Sequence, residues 1–296
     1  MSLERDFCQV PPFEIIAPSE QRIPFVFSSP HSGRYYPQSF LESSRLNGLS
    51  IRFSEDCYVD ELFASVVRLG APLLKANFPR AFIDVNREPY ELDPCMFEET
   101  LPPYANSHSV RVAGGLGTIP RLVGEGQLIY PGRIPLAEAM YRIESLYKPY
   151  HQALSDLLRA TRDKFGYAVM IDCHSMPGHV RPGEVSDRPD FIIGDRFGQS
   201  CSSGLTRAVI QLLADQGYVV AHNRPYAGGF ITEHYGRPLN AIHALQIEIN
   251  RSLYMNEQTL FKLPGFDALC NDLYQFLSDV TALPDDIFVS TAMAAE

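Results

Sequence analysis

Several features are missing from this sequence of 296 residues, and each absence excludes a class of protein. No segment approaches the roughly 20 consecutive apolar residues that span a bilayer, so we expect no membrane anchor. The charged start of the chain has no apolar core of the kind found in secretory signals. Six cysteines are present, but they lie far apart without a Cys-x-x-Cys pair, which argues against a disulfide framework and against a thiolate zinc site. These absences predict a protein of the reducing cytoplasm.

Basic charge is also scarce. Lys and Arg number 25 against 35 Asp and Glu, which gives a formal net charge of -10 and a pI of about 5.3. Because nucleic acids and anionic membranes are bound by basic surfaces, we expect neither as a partner. An anionic small molecule is still possible, since it needs only a few local arginines. The composition is that of a globular protein, and without a linker-like stretch we expect one domain over 1–296.

Short apolar runs alternate with helical patterns along the chain. Strands are predicted at 23–29, 81–85, 167–173, 191–194, 218–221 and 243–249, and helices at 60–69, 136–164, 198–215 and 254–278. This alternation predicts an α/β fold with three α/β/α layers and a mostly parallel central sheet. The segment 88–133 is rich in Pro and Gly with weak periodicity, so we expect a long irregular loop there, either a lid or a packed excursion.

Two histidines stand where apolar strands end. His31 follows the first strand, and His174 follows Asp172 at the end of a later one, and each is succeeded by Ser. Ligand sites of open α/β sheets gather beyond the carboxyl ends of strands, so both side chains are expected at one edge. Alternation places Asp172 and His174 on the same face and Cys173 on the other. One such histidine is typical of a core residue, but the repeated pattern favours a shared metal.

A hydrolytic zinc site usually has a third protein ligand and a water. The segment 53–62 offers the carboxylates for this position. Asp60 and Glu61 are typical acids of a helix N-terminus, which leaves Asp56 as the candidate ligand and Glu55 as its competitor.

A carboxylate also lies in the apolar strand near residue 248. Alternation places Gln246, Glu248 and Asn250 on one face. Burying a carboxylate is costly without a partner, so Glu248 either pairs with a cation such as Arg251 or acts as a general base that takes a proton from water and returns it to a leaving amine.

Arginine suits the recognition of a carboxylate in an anionic substrate. Arg87 closes a predicted strand, where its guanidinium could clamp a carboxylate with two hydrogen bonds. Arg133 and Arg224 are candidates for a second clamp.

Taken together, these motifs resemble those of N-formylglutamate amidohydrolases. In chain order they are PHSG (30–33), the acidic segment 53–62, DVNR (84–87), DCHSMPG (172–178), GDRFG (194–198), NRPYAGGFITEHYG (223–236) and ALQIEINRSLYM (244–255). The resemblance runs from about residue 23 to about residue 254. Zinc-carboxypeptidase-like relatives use His-x-x-Glu, whereas the residue three positions after His31 is Arg34, so the acidic ligand must come from elsewhere.

The resemblance implies a zinc-carboxypeptidase-like (phosphorylase/hydrolase-like) fold with a mixed sheet and one zinc ion per chain, held by His31, His174 and an acidic residue. It implies that Glu248 is the general base. Asn86 and Arg87 would bind the substrate carboxylate and polarise the scissile carbonyl, and Gly229 and His234 would line the substrate site.

The function expected from the resemblance is zinc-dependent hydrolysis of the N-formyl or N-acyl amide of a small acidic amino acid, with N-formyl-L-glutamate as the leading substrate. Two alternatives are open. A zinc carboxypeptidase or amidase would cleave short or cell-wall peptides, and a metal-free binding protein on the same fold would hold no zinc. The oligomeric state is not predicted.

Overall fold

The structure is a computed structural model that describes residues 7, 10–124, 126–178 and 189–288. Cys8 and the C-terminal tail from 289 lie outside this part of the chain. Among the described residues, no helix is both long and apolar enough to cross a membrane.

A seven-stranded sheet forms the centre of the fold. Its strands are β1 (Phe13–Ile16), β2 (Phe25–Ser29), β3 (Leu73–Ala76), β6 (Ala168–Met176), β7 (Phe191–Gly194), β8 (Val220–His222) and β9 (Ile242–Asn250), while β4 (Leu122–Val123) and β5 (Gln127–Leu128) form a separate hairpin. The order of strands across the sheet is β1-β3-β2-β6-β9-β7-β8. The pairs β2–β6, β6–β9 and β7–β8 are parallel, and β7–β9 is antiparallel. The predicted α/β class with a mostly parallel, mixed sheet is confirmed.

Helices connect these strands. They are α1 (Gln38–Ser43), α2 (Val59–Leu62), α3 (Val66–Leu69), α4 (Val110–Ala113), α5 (Leu136–Arg142), α6 (Lys148–Phe165), α7 (Ser203–Asp215), α8 (Phe230–Tyr235) and α9 (Phe266–Thr281). A π-helical segment, Ile143–Tyr147, joins α5 to α6. Short 3₁₀ turns occupy Ser50–Arg52, Pro94–Met96, Pro238–Asn240, Arg251–Leu253 and Asp285–Ile287.

The prediction of a strand at 81–85 is wrong, because the structure has turns there. The strands β1 (Phe13–Ile16) and β3 (Leu73–Ala76) have no counterpart among the predicted strands. The amides of Phe82 and Ile83 donate to the carbonyl of Pro79 in a turn, and the amide of Asp84 donates to Thr118. An apolar run of five residues cannot be told from a buried loop by periodicity alone, because burial and not strand pairing produces it. The residues are indeed buried.

All four predicted helices differ from those in the structure, and the one predicted at 198–215 begins only at Ser203. The helix at 60–69 is two short helices, α2 and α3, and the helix at 136–164 contains the π segment. The helix expected from 254 begins only at Phe266, directly after Pro264 and Gly265. Proline disfavours helical geometry in the residue before it, so the chain enters α9 after this pair.

The interior strands are buried along their whole length. All nine residues of β6 are buried, as are the last eight of β9. These two adjacent strands pair from Ala168 opposite Ile242 to Met176 opposite Asn250. The polar residues near the carboxyl ends of β6 and β9 therefore follow buried apolar residues on two paired strands. This pairing and burial fix the positions of the polar residues.

Contacts divide the chain into two compact units. One comprises the described parts of Met1–Glu14, Pro30–Glu55 and Lys75–Ala153, and the other those of Ile15–Ser29, Asp56–Leu74 and Leu154–Glu296. The first unit contains the segment 88–133, which the sequence predicts to be a long irregular loop and which includes α4 and the β4–β5 hairpin. Its apolar residues Leu92, Phe97, Ile119 and Ile129 are buried, whereas Tyr104 and Val110 are exposed. The action of the segment as a lid stays a prediction, as does the single domain.

Candidate functional site

Three buried side chains can share a metal ion. His31, Asp56 and His174 each offer one ligand atom, and these atoms lie within 4.8 Å of one another. His31 comes two residues after the end of β2, Asp56 precedes α2, and His174 lies near the carboxyl end of β6. The parallel pairing of β2 with β6, with Ser28 opposite Asp172, brings the two strand ends to one edge of the sheet, as predicted.

A buried aspartate orients the ring of His31. Nε2 of His31 lies 2.7 Å from Oδ1 of Asp84. Since the carboxylate accepts, Nε2 carries the proton and Nδ1 is the nitrogen with a lone pair for a metal. The carboxylate also lies near Arg80 and Arg87. Burial alone would raise the pKa of Asp84, but Arg87, Arg80 and His31 outweigh it and hold the pKa well below the ordinary value.

His174 stands between two aspartates. Its Nε2 lies 3.0 Å from Oδ1 of Asp172, and its Nδ1 lies 3.0 Å from Oδ2 of Asp56. Asp172 itself accepts a hydrogen bond from Thr232. Burial lowers the pKa of His174, but Asp172, Asp56 and Glu248 more than offset this and raise the pKa well above its usual value. This concentration of negative charge favours a cation at the site.

Asp56 is fixed through its second oxygen. Oδ1 accepts from Nη2 of Arg251 at 2.9 Å and from the hydroxyl of Ser175 at 3.3 Å, and Nε of Arg251 donates to the same hydroxyl. Burial would lower the pKa of Arg251, but the ion pair with Asp56 raises it overall. Oδ2 of Asp56 therefore remains the oxygen directed at His174, which suits a ligand that binds through one oxygen.

Glu55 has a different environment from Asp56. Its carboxylate accepts two hydrogen bonds from Arg52, at 2.9 and 3.0 Å, and one from the hydroxyl of Tyr36 at 2.6 Å. Glu55 is thus the buried half of an ion pair, and of the two acids only Asp56 belongs to the three-residue cluster.

Glu248 lies beside the cluster in the sheet. In the β6–β9 ladder it is directly opposite His174. Its Oε1 accepts a hydrogen bond at 2.9 Å from the side-chain amide nitrogen (Nε2) of Gln246, which lies on the same face of β9. The side-chain oxygen (Oε1) of Gln246 in turn accepts from the backbone N–H of Gly229 at 2.8 Å. The predicted alternation is therefore correct. Arg251, the alternative partner predicted for Glu248, pairs with Asp56 instead.

Arg87 is buried and binds its own chain. Nε donates to the carbonyl of Leu116 at 2.8 Å, Nη1 donates to that of Asn86 at 2.7 Å, and Nη2 lies 3.4 Å from Asp84. A guanidinium has five N–H groups, so two of those of Arg87 have no partner among the described residues. Burial, the largest influence, lowers the pKa of Arg87 to about 10, which still leaves it charged at neutral pH. Asn86 is buried next to it.

The other residues predicted to contact substrate differ in their exposure to solvent. Gly229 is buried, and its amide is held by Gln246 as described, at the start of α8. Arg133, Arg224 and His234 are exposed. The ring of His234 stacks on Phe230 with centroids 5.0 Å apart. The roles of these four residues in binding stay predictions.

The sequence-based prediction gives no role to four residues of the site, namely Asp84, Asp172, Ser175 and Gln246. It offers Arg251 only as an alternative partner of Glu248, whereas Arg251 pairs with Asp56. Two signals were available, namely the Asp-x-His spacing in β6 and the spacing of Gln246 from Glu248 in β9. Arg251 and Asp56 are 195 residues apart, so no local pattern could pair them.

The donor set suits zinc. Two imidazoles and one carboxylate are common protein ligands of a catalytic zinc ion, which keeps a further position for water or substrate. A carboxylate on the other nitrogen of a ligating histidine is a frequent feature of such sites, and both His31 and His174 have one.

Comparison with known proteins identifies the family. A model of the N-formylglutamate amidohydrolase family matches residues 23–255. The N-formylglutamate deformylases of Pseudomonas aeruginosa and Pseudomonas putida are 29% and 30% identical to this chain over 251 residues, covering 84% of this chain and 88% of each relative. The crystal structure of N-formylglutamate amidohydrolase from Ralstonia eutropha JMP134 is similar with a TM-score of 0.84 and 35% identity, over 91% of this chain and 97% of that one. The chain is therefore a hydrolase that acts on an amide, and it belongs to the N-formylglutamate amidohydrolase family.

Proposed function

We propose that this protein hydrolyses N-formyl-L-glutamate to formate and L-glutamate with one zinc ion per chain. The observation that carries the proposal is the buried cluster of His31, Asp56 and His174, in a chain of this family. The two relatives from Pseudomonas bear the name of this activity, which supports the same substrate here.

The metal would be held by Nδ1 of His31, Oδ2 of Asp56 and Nδ1 of His174. Zinc in a site of this kind polarises a carbonyl as a Lewis acid and makes bound water a nucleophile near neutral pH. The carboxylates of Asp84 and Asp172 would fix the two imidazole rings from behind, and Arg251 would fix Asp56.

Glu248 would transfer the proton during the reaction. Its carboxylate takes a proton from the attacking water as the oxygen adds to the formyl carbon, and it returns a proton to the nitrogen as the C–N bond breaks. The products are formate and the free amine of glutamate. The side-chain amide of Gln246 would orient the carboxylate of Glu248 for both steps.

Substrate binding would depend on the arginines. The two N–H groups of Arg87 without a partner in the described part of the chain, together with the side-chain amide of Asn86, would bind a substrate carboxylate and polarise the scissile carbonyl. Arg133 and Arg224 are the candidates for the second carboxylate, with Gly229 and His234 lining the substrate. An acidic amino acid with two carboxylates matches this set of cations.

The proposal is tested by formate release from N-formyl-L-glutamate with zinc-loaded and chelator-treated protein. We expect turnover that the chelator abolishes and zinc restores. N-Acetyl-L-glutamate and N-formyl-L-leucine are matched substrates that change only the acyl group or only the side chain, and a short peptide tests carboxypeptidase activity. Turnover of the peptide alone, or formate release in the absence of metal, would contradict the proposal.

A further inference from the structure

The segment 82–87 contains the residues that orient His31 and are expected to bind substrate, yet it is not part of the sheet. It holds Asp84, Asn86 and Arg87 in buried positions. Without a strand ladder, its backbone carbonyls need other donors, since a buried and unsatisfied carbonyl is costly.

Three side chains from one helical stretch supply these donors. Nη1 of Arg142 donates to the carbonyl of Phe82 at 3.0 Å, and the hydroxyl of Tyr147 donates to that of Arg87 at 2.7 Å. Nε2 of His151 lies 2.8 Å from the carbonyl of Val85, which can only accept, so this nitrogen carries the proton. The three donors therefore contact the segment near its start, middle and end.

Arg142 directly precedes the π segment Ile143–Tyr147 and Tyr147 is its last residue, and the geometry of that segment explains their alignment. In an α-helix each residue turns by about 100°, so residues five apart point in directions about 140° apart. A π-helix has i to i+5 hydrogen bonds, so residues five apart lie almost above one another. His151 follows Tyr147 by four residues, the usual spacing of α-helical neighbours, and their rings stack at 4.3 Å.

Packing restricts the donors further. The guanidinium of Arg142 lies 3.8 Å from the centre of the Phe82 ring, and its side chain is fully buried. Tyr147 is also buried. Donors with so little freedom fix the position of the carbonyls they bind.

We infer that the π segment is a positioning device for the substrate site: it aligns Arg142, Tyr147 and His151 so that they hold the backbone of 82–87 and thereby place Arg87 and Asn86 for the substrate carboxylate. The three are positioning residues, since they touch the backbone of the segment. The inference rests on the proposed function for the identity of the substrate, but the positioning itself can be measured without turnover.

The test compares Tyr147→Phe with Tyr150→Phe. The first change removes the hydroxyl that holds Arg87. The second removes a tyrosine hydroxyl from the same helix, where the ring packs on Phe13 and Phe78. Zinc content, kcat and KM for N-formyl-L-glutamate, and hydrogen exchange of the backbone amides of 82–87 are measured in both variants and in the wild type.

For Tyr147→Phe we expect KM to rise roughly three- to tenfold, with kcat within about twofold of wild type, because a group that positions bound substrate has been loosened. Exchange in 82–87 should be faster than in wild type, with unchanged zinc content, and Tyr150→Phe should match the wild type in KM and in exchange. His151→Leu should reproduce the effect, whereas His151→Gln, which keeps a donor, should recover part of it.

Unchanged exchange of 82–87 in both Tyr147→Phe and His151→Leu would overturn the inference whatever the substrate is. If the wild type is active, and Tyr147→Phe shows faster exchange of 82–87 but the same KM as the wild type, the inference is overturned as well, because the segment would then not position substrate. If the wild type releases no formate and exchange still differs between Tyr147→Phe and Tyr150→Phe, the positioning stands and the proposed substrate is wrong.

Discussion

The imidazole rings of His31 and His174 are oriented by aspartates that would not touch a metal. Nε2 of His31 is hydrogen-bonded to Asp84 and Nε2 of His174 lies 3.0 Å from Asp172, so we expect both rings to bind a metal through Nδ1. This arrangement fixes the ring, the tautomer and the basicity of each ligand.

Replacing Asp84 with Asn should weaken zinc binding about 10- to 100-fold, because the second partner of a ligating histidine typically contributes this much to affinity. Competition with a chromogenic chelator measures the change. Asp93→Asn is the matched control, since Asp93 is also buried but caps the turn at Cys95. Equal zinc affinities of Asp84→Asn and the wild type would show that Asp84 does not serve the site.

Arg251 compensates the charge of Asp56. In Arg251→Met the carboxylate would be buried without its cation, which should lower the free energy of unfolding of the metal-free protein by about 3 kcal/mol. Bound zinc would replace part of the missing charge, so the loss should be smaller in the loaded protein. Urea unfolding with and without zinc measures both values. A loss that is the same in both states would mean that the metal does not reach Asp56.

A site residue could be predicted only where its neighbours in the sequence indicate its role. His31, His174 and Glu248 stand in or beside apolar strands, so a polar residue there is visible in the sequence. The choice of Asp56 over Glu55 depended on Arg52 and Tyr36, whose contacts with Glu55 arise only in the folded chain. Arg87 was expected at a strand end and instead lies in a loop held by side chains.

Among the elements, the turn after β2 depends on a close approach of two backbones. A Cβ added to Gly33 would lie 2.0 Å from the carbonyl oxygen of Phe78. Gly33→Ala should therefore lower the free energy of unfolding by about 2–3 kcal/mol, as overpacking does. Gly132→Ala, where a Cβ meets nothing within 4 Å, should change it by less than about 0.5 kcal/mol. Equal stability of the two variants in urea would contradict this account.

The loop after β7 is organised by Asp195. Its carboxylate accepts from the amide of Gly198, from Asn223 and from Thr206. Burial would raise the pKa of Asp195, but these hydrogen bonds and His222 lower it below its ordinary 3.8.

A lowered pKa stabilises the fold above the unfolded value, and the stabilisation is lost as the pH falls from about 3.8 through the lower folded pKa. In Asp195→Asn, the free energy of unfolding should therefore depend less on pH in this acid range. Unfolding in urea at a series of pH values measures the slope, with the surface substitution Asp163→Asn as control. A slope as steep as in the wild type would contradict the role of Asp195.

The elements differed in how far pattern could predict them. The long buried strand β6 begins with a continuous apolar run, and β9 alternates apolar and polar residues; periodicity detects both patterns. The sequence predicts one helix across the π segment, because apolar residues continue through it at spacings of three and four, as at Met140, Ile143, Tyr147 and Tyr150. The sequence predicts a strand at 81–85, since burial alone gives the loop a similar composition.

For the whole molecule, alternating elements were sufficient to predict the α/β class and its mixed sheet, because layered packing leaves few other solutions. The family followed from motifs spread over most of the chain and is established by the comparisons. Zinc and the substrate depend on contacts between residues far apart in sequence, and they stay proposals. The cytoplasmic location and the absence of nucleic-acid and membrane partners also stay predictions.

The central claim is that one zinc ion at His31, Asp56 and His174 supports amide hydrolysis. Chelator-treated protein titrated with zinc, with formate release from N-formyl-L-glutamate recorded at each addition, tests it most directly. We predict that activity rises linearly and reaches its maximum at about one zinc per chain, as for a mononuclear hydrolytic site. The same titration of His174→Ala should give no activity. Full turnover in metal-free protein, or in zinc-free His174→Ala, would contradict the account.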